Sequence, residues 1–143
     1  EAMVLTNNSV DDAQVVKEIL SKVSKNKEIK SFWGDGAYDK EKVYKQLWQK
    51  GILEIIPPQH NTVKSKIQKN WMKQRGQAIK QIKAMDRTQW KQACSYHKRS
   101  LSETGMYRYK TIIGGSLQFR KVPYQINEAK ISCRILNDYD FIS

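Results

Sequence analysis

The sequence has few cysteines and histidines, and it lacks a long apolar run. Its two cysteines, Cys94 and Cys133, are far apart and lack the spacing of a zinc or disulfide framework. The absence of such a framework is typical of proteins of a reducing cytosol. Its two histidines, His60 and His97, have no partner at ligand spacing, so a histidine-bound metal is not expected. No apolar stretch approaches the roughly 18 residues of a membrane span, and the first residues do not resemble a secretion signal. These absences predict a cytoplasmic protein without a membrane partner.

Acidic side chains are also scarce, because 26 Lys and Arg outnumber 14 Asp and Glu and give a net charge of +12. Between Lys64 and Arg99, eleven basic residues accompany a single acidic one, Asp86. Trp71 and Trp90 lie in this segment, and an aromatic ring among cations can stack on an unpaired base. The pattern predicts DNA contact, and a solvated basic helix surface is the alternative. The candidate DNA-binding residues of this segment are Lys64, Lys66, Lys69, Trp71, Lys73 and Arg75.

The first sixty residues alternate between strand and helix patterns, which favours an α/β fold with a mostly parallel sheet. Asp39 is expected to cap the second helix, and Gly51 is expected to end it. After residue 59 the pattern is a basic loop followed by helices only, so the C-terminal half is expected to be all-helical. The predicted strands cover 2–6, 29–34 and 52–56, and the five predicted helices cover about 9–25, 41–50, 78–93, 96–113 and 123–139.

Asp35 directly follows the second predicted strand, in the sequence GDGAYD. Ligands of open α/β sheets bind at the carboxyl ends of the strands, so a carboxylate placed there can point into a cleft. Tyr38 is expected to pack behind the strand. The alternative is an ordinary turn, because Asp-Gly is a frequent turn dipeptide.

A second carboxylate lies among cations in the stretch YHKRSLSETGMYRYK, residues 96–110. If the stretch is one helix, Tyr96, Arg99, Glu103, Tyr107 and Lys110 share one face. A carboxylate flanked by cations suits a divalent metal together with a phosphate backbone. The alternative is an exposed helix with an ordinary Arg99–Glu103 pair, which contributes only a few tenths of a kcal/mol.

The spacing Tyr96, Arg99, Glu103, Lys110 matches the Y-(2)-R-(3)-E-(6)-K signature, and the chain resembles bacterial insertion-sequence transposases of the DDE class, of the fourth and fifth insertion-sequence families. The GDGAYD motif and the run IPP after the third predicted strand agree with this resemblance. The resemblance implies that Asp35 and Glu103 are catalytic metal ligands of a two-ion Mg²⁺ or Mn²⁺ site. It implies that Tyr96, Arg99 and Lys110 contact DNA, namely the insertion-sequence ends and the target.

The resemblance also implies an incomplete ribonuclease-H-like domain with about three strands and about five helices. Residues 1–143 are expected to form this single partial domain, with 59–76 as a basic loop insertion. The sequence looks like the C-terminal part of the catalytic domain and lacks the family's first catalytic Asp. We therefore expect it to be inactive in DNA cleavage on its own. A nucleoid-associated location in the bacterial cytoplasm is expected, and homo-oligomer formation is left open.

Two other functions stay open at this stage. One is a non-catalytic remnant that uses only the basic segment to bind DNA. The other is an unrelated basic α/β interaction domain, for example one that binds RNA.

Overall fold

A computed structural model describes residues 11–23, 28–60, 62 and 69–139. The chain divides into two compact units, Glu1–Arg99 and Ser100–Ser143. The first unit contains a small parallel sheet with helices on both faces, and the second unit is helical. The fold is therefore α/β with an all-helical C-terminal half, as the sequence predicts. Among the described residues, no helix is both long and apolar enough to cross a membrane.

The sheet pairs β1 (Ser31–Trp33) with β2 (Leu53–Ile55), and the two strands are parallel. Ser31 lies opposite Leu53 and Trp33 lies opposite Ile55. The connection between them contains helix α2 (Glu41–Gln49), which is the βαβ arrangement that parallel pairing requires. The parallel pairing is confirmed, and the strand predicted over residues 2–6 lies outside the described residues.

One face of the sheet is covered by α1 (Asp12–Lys22) and α2. Val43, Tyr44 and Leu47 are fully buried, because their spacing places them on one side of α2. Gly51 adopts a φ of 67° after α2, so the predicted helix end is confirmed. The predicted cap is wrong: Lys40 is the N-cap residue of α2, and its side chain makes no capping bond. The Asp39 carboxylate has a different role, described below.

The other face is covered by α3 (Lys73–Met85) and α4 (Arg87–Ala93), with Ile55, Ala78 and Trp90 buried between them. The sequence predicts one helix over 78–93, and this is wrong in two respects. Helix α3 begins inside the predicted loop, and the helix breaks at Asp86, whose φ is 72°. The Asp86 carboxylate caps α4 by accepting hydrogen bonds from the backbone N–H groups of Thr88 and Gln89, at 2.6 and 3.0 Å.

The second unit consists of α5 (Ser100–Ile112) and α6 (Val122–Tyr139). The connector between them is held by the Glu128 carboxylate, which accepts hydrogen bonds from the backbone N–H groups of Gln118 and Phe119. The predicted start of the signature helix at Tyr96 is wrong. Residues Tyr96–Arg99 form a 3₁₀ turn instead, so the single helical face from Tyr96 to Lys110 does not form.

Candidate functional site

Asp35 lies immediately beyond β1, at the carboxyl end of the sheet, as predicted. Its Oδ1 accepts a hydrogen bond from the backbone N–H of Ala37 at 2.9 Å and thereby caps the 3₁₀ turn Gly36–Tyr38. The backbone N–H of Tyr38 donates to the Asp35 carbonyl oxygen at 3.1 Å. The carboxylate is thus oriented by its own turn, while 44% of its side-chain surface stays accessible to solvent.

The backbone just before Asp35 is tightly packed. A Cβ added to Gly34 would lie 2.9 Å from Cε1 of Phe32 and 3.1 Å from Cβ of Tyr38. Tyr38 itself packs edge-on against Phe32, with ring centroids 5.6 Å apart, which confirms its predicted position behind the strand. Only glycine fits at residue 34 without displacing one of these two rings.

Two signature residues reach this strand end. The Tyr96 hydroxyl donates a hydrogen bond to the Gly34 carbonyl oxygen at 3.1 Å, and Nη2 of Arg99 donates to Oδ2 of Asp35 at 3.3 Å. The Tyr96 ring is half-buried, 6.5 Å from the centroid of Trp90, with the Lys91 ammonium 5.2 Å from its own centroid. The structure therefore brings Tyr96, Arg99 and Asp35 together within the first unit.

The remaining signature residues, Glu103 and Lys110, lie in the second unit. Both are exposed on α5, Glu103 in its first turn and Lys110 in its last turn. They are seven residues apart, which places them on the same side of the helix about 10 Å along its axis. Tyr107 lies between them with 70% of its surface exposed.

The metal ligands predicted from the sequence are carboxylates, and carboxylate oxygen is the donor that Mg²⁺ prefers. Asp35 and Glu103 fit a divalent ion by this chemistry. They do not supply the ligand number of a two-ion centre, because the described part of the chain contains no group of three His, Cys, Asp or Glu residues able to hold a metal. A cation at Asp35 would also have to share Oδ2 with Arg99 or displace it.

The basic segment is present on the surface of the first unit. Lys73 is exposed at the start of α3, and Lys69 donates to the Glu41 carboxylate at 2.6 Å. Trp71 is half-buried, with the ammonium groups of Lys45 and Lys69 at 5.3 and 5.9 Å from its ring centroid. Lys64 and Lys66 lie outside the described residues. Trp90 is only 5% exposed, so its ring belongs to the core.

Arg75 differs from its basic neighbours because its guanidinium is turned inward. Its Nε and Nη2 donate to the two oxygens of Asp39, at 2.5 and 2.9 Å. The Tyr44 hydroxyl and the backbone N–H of Gln59 donate to the same carboxylate, at 2.8 and 2.9 Å. Sequence reasoning missed this pair because an Asp before a helix is typical of a cap and no local signal identifies a partner 36 residues later.

Two carboxyl groups of the first unit have shifted pKa values. Burial alone would raise the pKa of Asp39, but the hydrogen bonds from Arg75, Gln59 and Tyr44 outweigh it and hold that pKa below its usual value. Burial raises the pKa of Glu54, on β2, to about 7.

Comparison with known families gives a match over most of the chain. The family model described as "Transposase DDE domain" matches residues 1–136. No solved structure matches the chain. The match covers nearly the whole sequence, including Asp35, Tyr96, Arg99, Glu103 and Lys110. The chain therefore belongs to the transposase DDE domain family.

Proposed function

We propose that this chain is the C-terminal part of an insertion-sequence transposase of the fourth or fifth family type, acting in metal-dependent DNA strand cleavage and transfer. The observation that carries the proposal is the meeting of two signature residues with Asp35. Arg99 is 3.3 Å from the Asp35 carboxylate, and Tyr96 is bonded to the residue before it. This contact links the Tyr-Arg half of the signature to the GDGAYD motif at the carboxyl end of a parallel sheet.

In this proposal Asp35 and Glu103 hold Mg²⁺ or Mn²⁺. Divalent ions supply charge stabilisation to the attacking and leaving oxygens of an in-line phosphodiester displacement. Asp35 is suited to this role because the hydrogen bond from Ala37 fixes its carboxylate while 44% of the side-chain surface stays exposed. Arg99 holds the second oxygen of that carboxylate, and its planar guanidinium can also clamp a phosphate. Lys110 would contact a phosphate as a point charge, and Tyr96 would contact the sugar or base of the bound strand.

DNA binding is proposed to use the basic segment ahead of the signature. Lys73 is exposed for a phosphate contact, Lys69 would exchange its bond to Glu41 for one, and Lys64 and Lys66 belong to the same sequence run. Trp71, with two ammonium groups around its ring, would stack on a base. Phosphate contacts of this kind orient a duplex and make its binding dependent on salt. The proposed location is the bacterial cytoplasm at the nucleoid, and a homo-oligomer is compatible with this function.

We further propose that these 143 residues bind DNA without cutting it, because two carboxylates hold divalent ions less firmly than a complete acidic triad. The test is supercoiled plasmid incubated with purified protein and Mg²⁺ or Mn²⁺. We expect it to remain supercoiled, and conversion to nicked or linear DNA would contradict the proposed inactivity.

DNA binding itself is tested by comparing Lys73→Glu with Lys17→Glu. The two substitutions change the net charge by the same amount, and both lysines are exposed on helices. Only Lys17 lies outside the basic segment. Each lost phosphate contact should make the dependence of log affinity on log salt shallower by about 0.9. We expect this change for Lys73→Glu only, and Glu103→Gln should leave the affinity for DNA unchanged. Equal effects of the two lysine variants would mean that binding follows net charge and needs no defined surface.

The second candidate function is a DNA-binding module without chemistry. It is favoured by one observation, namely that Arg99 already neutralises the Asp35 carboxylate. Mn²⁺ distinguishes the two, because a paramagnetic ion at Asp35 broadens the NMR signals of nearby amides such as Ala37. If the chain is a catalytic transposase domain, Mn²⁺ should broaden the Ala37 signal, and Asp35→Asn should remove this broadening. If it is a DNA-binding module without chemistry, Mn²⁺ should not broaden the signal.

A further inference from the structure

The Asp39 carboxylate is the most completely bonded side chain of the turn that follows Asp35. Its side chain is 1% exposed, and it accepts hydrogen bonds from Nε and Nη2 of Arg75, from the Tyr44 hydroxyl and from the backbone N–H of Gln59. A buried carboxylate is stable only when its charge is neutralised and its lone pairs are occupied, and this arrangement meets both needs.

The four donors come from three separate parts of the first unit. Tyr44 lies on α2, Gln59 follows β2, and Arg75 lies in the first turn of α3. Asp39 itself ends the turn that begins at Asp35, and its backbone N–H donates to the Gly36 carbonyl oxygen at 3.2 Å. One carboxylate thus fixes the Asp35 turn to the segment beyond β2 and to the helix that carries the basic surface.

The side chain of Asp35 is held more loosely than that of Asp39. Arg99 makes one contact to Asp35 at 3.3 Å, and both partners are partly exposed. Arg75 makes two contacts to Asp39, and its own side chain is 14% exposed. The backbone of the turn is therefore anchored by the buried pair, which leaves the Asp35 carboxylate accessible for a ligand.

We propose that Asp39 and Arg75 are positioning residues, which set the location of Asp35 relative to α3 through the turn between residues 35 and 39. The inference rests on the proposed function in that it takes Asp35 as the working carboxylate. It gives Arg75 an internal role, whereas the sequence predicts that Arg75 contacts DNA. The planar guanidinium suits this role because it binds both carboxylate oxygens at once, which a lysine ammonium does not.

The test compares Arg75→Gln, Arg75→Lys and Asp39→Asn with the matched control Lys22→Gln, which removes one charge from the exposed pair of Lys22 with Glu18. The first readout is the NMR signal and hydrogen exchange of the Ala37 and Tyr38 amides, which bond to Asp35. The reference is the Ile52 amide, which bonds to the Leu47 carbonyl oxygen at the end of α2. The second readout is DNA affinity as a function of salt.

We expect Arg75→Gln and Asp39→Asn to shift the Ala37 signal and to speed exchange in the turn by about tenfold relative to Ile52. Arg75→Lys should give an intermediate shift, because it keeps the charge and loses the second contact. DNA affinity and its salt dependence should stay at the wild-type level in Arg75→Gln, and Lys22→Gln should change neither readout.

Two results would overturn the proposal. If Arg75→Gln leaves the Ala37 signal in place and makes the salt dependence shallower by about 0.9, Arg75 is a DNA contact. If exchange at Ala37, Tyr38 and Ile52 accelerates equally, the pair only stabilises the unit as a whole. Should Asp39→Asn fail to fold, Tyr44→Phe removes one donor and applies the same comparison. A wild-type chain that does not bind DNA would refute the proposed DNA binding, and the amide readout would still decide the role of the pair.

Discussion

The Tyr96 hydroxyl donates its hydrogen bond to the Gly34 carbonyl oxygen, 62 residues earlier in the sequence, at 3.1 Å. The bond joins the first signature residue to the residue that precedes Asp35. Tyr96 lies in the 3₁₀ turn of residues 96–99, and α5 begins after this turn, at Ser100.

This contact predicts the behaviour of Tyr96→Phe, which removes one hydroxyl and keeps the ring. The Gly34 carbonyl would lose its partner, and we expect the free energy of unfolding to fall by about 1 kcal/mol. Tyr107→Phe is the matched control, because Tyr107 is 70% exposed and should change stability by less than about 0.5 kcal/mol. Urea unfolding measures both. A Tyr96→Phe variant as stable as the wild type would show that this hydrogen bond does not stabilise the folded chain.

Gly34→Ala tests the packing behind Asp35. The added Cβ would lie 2.9 Å from the Phe32 ring and 3.1 Å from Cβ of Tyr38, so we expect a loss of about 1–3 kcal/mol in unfolding free energy. Gly105→Ala is the control, because Gly105 lies inside α5 with nothing within 4 Å of an added Cβ. That substitution should increase the helicity of α5 and stabilise it by up to about 1 kcal/mol. Unfolding followed by circular dichroism measures both variants. Equal changes in unfolding free energy for Gly34→Ala and Gly105→Ala would argue against close packing at Gly34.

Much of the first unit is predictable from the sequence because its signals are local. The apolar runs before Asp35 and Pro57 identify the two strands, and the buried stripe of α2 follows from its periodicity. Gly51 ends α2 because a positive φ is easy for glycine. The position of Asp35 at a strand end follows from these elements alone.

The sequence predictions that were wrong involve contacts between distant residues and one helix cap that was missed. Asp39 has the sequence context of a helix cap, yet its charge is neutralised by Arg75 from another helix. The break at Asp86 could have been found, because Asp followed three residues later by Gln is a start signal for a new helix. Trp90 lies among cations in the sequence, but α4 turns it into the core, where its Nε1 donates to Gln81 at 3.1 Å.

Asp39 gives the first unit a predicted sensitivity to acid. Its pKa is lowered in the folded state, so the stabilisation is present above the ordinary carboxyl pKa near 3.8 and is lost as pH falls through the lower folded value. At pH 7 we expect Asp39→Asn to cost about 3 kcal/mol, because it leaves the Arg75 charge without its partner. The difference between wild type and variant should narrow below pH 3.8, as chemical unfolding at several pH values would show. A difference that is constant from pH 7 to pH 3 would mean that the pKa of Asp39 is the same in the folded and the unfolded chain.

Glu54 should make the stability of the fold depend on pH in the opposite direction. Burial raises its pKa to about 7 in the folded state, above the ordinary value of 4.5, so the folded chain holds a proton that the unfolded chain releases. Stability should therefore fall as pH rises from 4.5 to 7, and Glu54→Gln should remove this fall. A pKa shift of this size corresponds to about 3 kcal/mol of unfolding free energy. Because the side chain is partly exposed, we expect Glu54→Gln to be more stable than the wild type at pH 8 by only about 1.5 kcal/mol. The control is Glu28→Gln, which makes the same charge change at an exposed position. Thermal unfolding at pH 5 and pH 8 measures the effect, and a Glu54→Gln variant that is equally stabilised or destabilised at both values would show that Glu54 does not titrate between them.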